Sequence, residues 1–156
     1  MPFLTKSELR SVLRENKIAQ ISDSDDTIVE MAISAGMTEV RSRIAPNNKK
    51  SWQDGRLKYD IATIFAATGE ERNPLILEIT KVVSMWWLIC RNNAGVHYEV
   101  IRDRYSAAVD YLKDLATGEA NDPTLPIIQD PVDEDGNPTS LAKPFRMGSR
   151  LKFNHE

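Results

Sequence analysis

The segment Asp23–Asp25 has the spacing of the first ligands in a calcium-binding loop. Such a loop needs Gly at its sixth position and a bidentate Glu at its twelfth. Counted from Asp23, those positions hold Ile28 and Ser34. A loop counted from Asp133 fails in the same way, because Pro138 is its sixth residue. The sequence therefore predicts no calcium site.

Other residues that could support catalysis are few and scattered. His97 and His155 stand far apart, and neither has a Cys or His companion at the spacing of zinc ligands. The chain contains no glycine-rich phosphate loop, no nucleophile elbow and no metalloprotease motif. Its single cysteine, Cys90, has apolar neighbours and is predicted to be a small buried residue. We expect no cofactor, no metal ion and no enzymatic activity.

A polar loop at 46–58 surrounds one tryptophan with four cations. One interpretation is a solvated loop whose tryptophan folds against the body. The other is a contact surface for a partner protein or for DNA that passes by. The residues concerned are Lys49, Lys50, Trp52, Arg56 and Lys58.

The C-terminal segment 119–156 is rich in Pro, Asp and Asn and holds too few apolar residues to bury a core of its own. Within 145–153, apolar and basic side chains alternate with the period of a β-strand. We predict that this run adds as a strand to the sheet edge of a partner, with Gly148 allowing a bend. The alternatives are an arm that folds back on its own subunit and an arm that stays disordered. The proposed contact residues are Phe145, Arg146, Met147, Arg150, Leu151, Lys152 and Phe153.

The sequence before Gly118 contains capping residues and apolar stripes that predict several helices. Thr5 and Glu8 have capping-box spacing, which predicts a short helix with Leu9, Val12 and Leu13 inside. A second helix is predicted from near Asp26 to about residue 45, before Pro46. Its apolar stripe, at helical spacing, includes a glycine that costs about 1 kcal/mol relative to Ala, so another helix is expected to approach there. The stripe consists of Val29, Ile33, Gly36, Val40 and Ile44.

Two longer helices and one short one complete the predicted body. Asp60 caps one or two turns, and Asn73 with Pro74 begins a helix at about 74–92 that is apolar on nearly all sides. A last helix covers about 97–117 and ends at Gly118. Trp86 and Trp87 point about 100° apart on the central helix, so burying both requires partners on two faces. We expect a neighbouring subunit to cover one of them.

These patterns predict an all-α fold: a compact bundle of about four to five helices at 1–118 and an extended arm at 119–156. The net charge of −3 argues against a dedicated binder of nucleic acid or anionic membranes. The apolar run 75–90 is interrupted by Glu78, Lys81 and Ser84, and falls short of the roughly 20 apolar residues of a membrane span. Residues 1–6 lack the pattern of a signal peptide. We expect no membrane partner and no export by that route.

The order of these segments resembles the small head-tail connector, or adaptor, proteins of tailed phages, particularly the family found in Mu-like prophages. No single segment is a catalytic motif, and the resemblance rests on their order and spacing over most of 3–118. The segments are Phe3–Leu9, the Asp-rich turn 22–26, Glu39–Ile44, Tyr59–Phe65, Arg72–Pro74, Arg104–Leu112, Ala116–Gly118 and Phe145–Ser149. The cationic loop 46–58 and the acidic segment 119–137 depart from the family pattern.

The resemblance implies an all-helical structural protein of the virion that forms a ring, commonly a dodecamer, beneath the portal protein of the filled capsid. The ring would join the portal to a stopper or tail protein, surround the genomic DNA without reading its sequence, and be assembled in the cytoplasm of the bacterial host. One alternative is a stopper or tail-completion protein one layer farther from the capsid. Another is a nonstructural, DNA-associated helical protein that uses the loop cations.

Overall fold

The computed structural model describes residues 2–45, 57–92 and 95–128, and three of the five α-helices in those residues begin at a side-chain cap. The described chain is helical, as predicted. Asp25, Asp60 and Asn73 each accept a hydrogen bond from a backbone amide in the first turn that follows. Gly118 ends the last helix with φ of 84°, in the left-handed region where glycine is favoured. The α-helices are α1 Glu15–Ser22, α2 Asp26–Ile44, α3 Ile61–Ala66, α4 Pro74–Ile89 and α5 Tyr98–Thr117, with 3-10 turns at Lys6–Ser11 and Gly69–Glu71.

The N-terminal region differs from the single short helix predicted there. The predicted capping box is present, and the Glu8 carboxylate accepts a 2.9 Å hydrogen bond from the backbone amide of Thr5. The turn that follows is a 3-10 helix, and the separate helix α1 comes after Arg14. Ile18 and Ile21 are buried on the inner face of α1. Packing of this pair stabilises a helix whose sequence carries no strong cap.

Helices α2 and α4 pack closely at the predicted glycine. A Cβ atom added to Gly36 would lie only 2.7 Å from the Cα atom of Ser84. Because that neighbour is backbone, no rotamer change could make room. Val40 of α2 and Val83 of α4 are completely buried. The apolar helix α4 is therefore central, with α2 on one side and α5 on another.

Residues 119–128, which we expected to begin the arm, contact the helical body. Leu125 is buried, and the side-chain amide of Asn73 donates to Asp122 at 3.0 Å and to the Thr124 hydroxyl at 2.7 Å. Tyr59 and Ile127 form an antiparallel β-bridge. The body thus continues past Gly118, and the rest of the predicted arm lies outside the described residues.

Cys90 differs from its prediction. It follows the last residue of α4 and is exposed, because the apolar face of that helix ends at Ile89. Partial burial still raises the pKa of its thiol. Its apolar neighbours in the sequence belong to the preceding turns of the helix and pack elsewhere.

Candidate assembly surface

The two adjacent tryptophans of α4 have different environments. Trp86 packs between helices: its ring stacks on Tyr105 with centroids 4.9 Å apart and lies 5.4 Å from the ring of Tyr98. Trp87 is 47% exposed. The 100° between successive helical positions predicted such a divergence. The position of α5 determines which ring is covered, since both tyrosines belong to that helix.

The exposed tryptophan borders an apolar groove of about 220 Å³ between α2 and the end of α4. Met31, on the opposite wall, is 70% exposed. Arg91 supplies the only charged side chain among the residues that line the groove. The lining consists of Ile28, Met31, Ala32, Ala35, Trp87, Leu88 and Arg91. We call this feature the Trp87 groove.

A partly buried carboxylate, that of Glu39, orients the Trp87 ring. The indole Nε1 donates to Glu39 Oε2 at 2.8 Å. The other carboxylate oxygen accepts from the Tyr105 hydroxyl at 2.7 Å and from Arg43 Nη2 at 2.7 Å. Only 13% of the Glu39 side chain is exposed. One carboxylate thereby connects α2, α4 and α5.

The charge of Glu39 is maintained by these donors. Burial raises its pKa, but the hydrogen bonds from Tyr105, Arg43 and Trp87 outweigh burial and bring the pKa below its usual value. Burial, followed by the hydrogen bond to Glu39, raises the pKa of Tyr105. The carboxylate is therefore ionised and the phenol protonated at neutral pH. The cluster fixes the orientation of an exposed aromatic ring, which reduces the entropy lost when a partner covers it.

The groove was not identified from the sequence. The buried stripe of α2 runs through Val29, Ile33 and Val40, whereas Ile28, Met31 and Ala35 form a second apolar row on an adjoining face. That row could be recognised from its spacings of three and four residues. The Trp87 and Tyr105 contacts to Glu39 could not, because they join residues 48 and 66 positions apart.

Of the predicted contact residues in the cationic loop, the described part of the chain includes only Lys58. It is partly buried, and its carbonyl accepts a 2.7 Å hydrogen bond from the amide of Ile128. The remaining predicted contacts in the loop and the arm lie outside the described residues. They are Lys49, Lys50, Trp52, Arg56, Phe145, Arg146, Met147, Arg150, Leu151, Lys152 and Phe153.

Within residues 2–45, 57–92 and 95–128, no group of three or more His, Cys, Asp or Glu side chains is placed to hold a metal ion. No helix of the described chain is long and apolar enough to cross a membrane. Comparison with known proteins found no matching family model, no matching curated protein and no matching solved structure.

Proposed function

We propose that this protein is a structural subunit of a phage virion, a head-tail connector that assembles into a ring below the portal protein and joins the capsid to the tail. The Trp87 groove is the observation that carries the proposal. A half-exposed tryptophan and an exposed methionine line opposite walls of this groove on the helical surface. Clusters of exposed apolar side chains, aromatic residues and Met among them, are typical of protein interfaces.

The composition of the groove favours a second copy of the chain as its occupant. Aromatic residues, Met and Arg are enriched at interface cores, and the groove presents Trp87, Met31 and Arg91 together. A ring requires a heterologous contact, in which one face of each subunit meets a different face of the next. The Trp87 groove supplies one such face. The resemblance to phage connectors supplies the expected ring, its dodecameric copy number and its location.

The arm is proposed to make the second kind of contact. Residues 145–153 would pair as a strand with an edge of the portal or of an adjoining ring protein, with alternate apolar side chains fixing the register. This leaves the helical surfaces free for contacts between subunits. DNA would pass through the ring without sequence-specific contacts.

Substitution in the groove tests the proposal. Met31→Lys should leave the helical circular dichroism signal and the melting temperature nearly unchanged, because 70% of the side chain is exposed. It should weaken self-association at least tenfold in analytical ultracentrifugation, because the charge would be buried in the contact. Val100→Lys on α5 is the matched control, since Val100 is 50% exposed and lies outside the groove. If both variants self-associate as strongly as the unsubstituted chain does, the groove is excluded as the subunit contact.

A further inference from the structure

The body carries an isolated antiparallel β-bridge between Tyr59 and Ile127, and we call the open side of this bridge the Ile127 edge. The amide of Asp60 donates to the Pro126 carbonyl at 2.8 Å, and the amide of Ile128 donates to the Lys58 carbonyl at 2.7 Å. These bonds flank the bridge of Tyr59 with Ile127, so the backbone groups of those two residues point away from each other. Tyr59 is buried, whereas Ile127 is 42% exposed. The amide and carbonyl of Ile127 thus face outward, and no described residue bonds to them.

A pocket adjoins this edge. Leu125 and Pro126, the two residues before Ile127, form part of its wall, and its volume is about 430 Å³. Ile64 of α3 and Leu75 of α4 provide further apolar lining, and Leu75 is 44% exposed. A strand edge beside an apolar pocket is the arrangement that binds extended peptides: the backbone gives affinity, and the pocket receives an alternate side chain.

The pocket is acidic. Glu71 has no ion-pair partner among the described residues, and Asp122 accepts only from the neutral side chains of Asn73 and Thr124 and the Thr124 amide. The one cation in the lining, Arg72, is already engaged by Glu8 and by the carbonyls of Phe3 and Gly69. The site therefore favours a ligand that is extended, apolar on one side and basic on the other.

One segment of the sequence carries the matching pattern of apolar and basic side chains. Residues 145–153 carry three cations and no acidic residue, and their apolar side chains alternate with the basic ones. Sixteen residues, 129–144, separate this segment from Ile128. Extended, they reach roughly 50 Å, whereas a body of this size is about 35 Å across. The segment can therefore return to the edge from which the arm begins.

We propose that, in the unassembled subunit, residues 145–153 add as a strand to the Ile127 edge of their own chain, with an apolar side chain in the adjoining pocket. A tether of this length gives an effective concentration in the millimolar range. The intramolecular contact is therefore favoured over pairing between subunits at protein concentrations below that range. The contact covers an edge that would otherwise pair with other chains. This proposal rests on the proposed role of the arm, because the arm must leave the Ile127 edge before it docks on a partner.

Amide hydrogen exchange of the full-length chain, measured by NMR at a concentration where it is monomeric, tests the proposal. The Ile127 amide should exchange about 100-fold more slowly than an unprotected amide. Joint Phe145→Asp and Phe153→Asp substitution should remove at least tenfold of that protection. Thr139→Asp with Ser140→Asp, outside the alternating run, should preserve it. The amide of Leu112, buried in α5, reports in each variant that the body remains folded.

Exchange of the Ile127 amide at the unprotected rate would overturn the proposal. The same holds if this amide is protected as strongly in the Phe145 and Phe153 variant as in the unsubstituted chain. Protection that falls on tenfold dilution would show pairing between copies and exclude the intramolecular contact. These outcomes are independent of the subunit contact at the Trp87 groove, because the measurement is made on monomers. Failure of ring assembly with Ile127 protected would refute the proposed function alone.

Discussion

The structure predicts that the two adjacent tryptophans differ in how much folding free energy is lost when each is replaced by alanine. Trp86→Ala removes a ring stacked on Tyr105 between α4 and α5 and leaves a cavity at their contact. Large-to-small substitutions of buried aromatic residues cost about 3–5 kcal/mol, and because Trp86 is only partly buried we expect about 3 kcal/mol.

Trp87→Ala removes a ring that is already 47% exposed, together with one hydrogen bond to Glu39. The carboxylate keeps its bonds from Arg43 and Tyr105, so it is not left unpaired. We expect a loss of about 1 kcal/mol of folding stability. Self-association should weaken at least tenfold, because an aromatic anchor of the proposed subunit contact is gone.

Urea denaturation of dilute, monomeric protein gives the two folding free energies, and sedimentation of concentrated protein gives the association constants. Trp87→Phe is a useful control, since it keeps most of the apolar area and lacks the indole donor. The reasoning is refuted if both alanine variants lose 3 kcal/mol or more, or if Trp87→Ala associates as strongly as the unsubstituted chain.

Four further predictions concern the rest of the chain. Gly36→Ala should lower the free energy of unfolding by about 3 kcal/mol, measured by urea denaturation, because its Cβ would meet the Ser84 backbone; a stabilised variant would contradict the close packing. The hydrogen bond from Arg72 is the main reason that the pKa of Glu8 falls from 4.5 to about 2, so its contribution is complete above about pH 4.5 and is lost as the pH falls toward 2. Glu8→Gln should therefore cost about 1–2 kcal/mol at pH 7 and flatten the acid limb of a stability profile; an unchanged acid limb would show that the pair contributes little. Deletion of 139–156 should leave a folded helical body, measured by circular dichroism, and abolish docking to the portal, whereas wild-type docking would exclude the arm as the connecting element. Joint replacement of the loop cations by Gln should spare folding and weaken attachment in a salt-sensitive way, and unchanged assembly would favour the solvated-loop interpretation. Those cations are Lys49, Lys50, Arg56 and Lys58.

Local chemistry explains which parts of the fold were predictable. The caps at Asp60 and Asn73 and the stop at Gly118 depend on neighbours within a few residues, and each lies where the sequence places it. The close approach at Gly36 was also predictable, because glycine weakens a helix interior and its lack of a side chain lets a neighbouring backbone come near. Helix α1 was missed because Arg14 provides no side-chain cap.

The features that could not be predicted depend on contacts between residues far apart in the sequence. The pairing of Tyr59 with Ile127 joins segments 68 residues apart, and neither segment has strand length or a hairpin turn. The same holds for the Glu39 cluster: its partner Arg43 lies one turn away, but Trp87 and Tyr105 arrive from other helices. The sequence indicated that the two tryptophans diverge, and only the position of α5 shows that Trp87 is the one exposed.

Electron microscopy of the purified full-length protein, combined with native mass spectrometry, tests the central proposal most directly. We predict closed rings, commonly of twelve copies, in which the Trp87 groove lies at each boundary between subunits. A particle that remains monomeric at all concentrations and binds duplex DNA tightly at physiological salt would contradict the connector assignment and favour a nonstructural, DNA-associated protein.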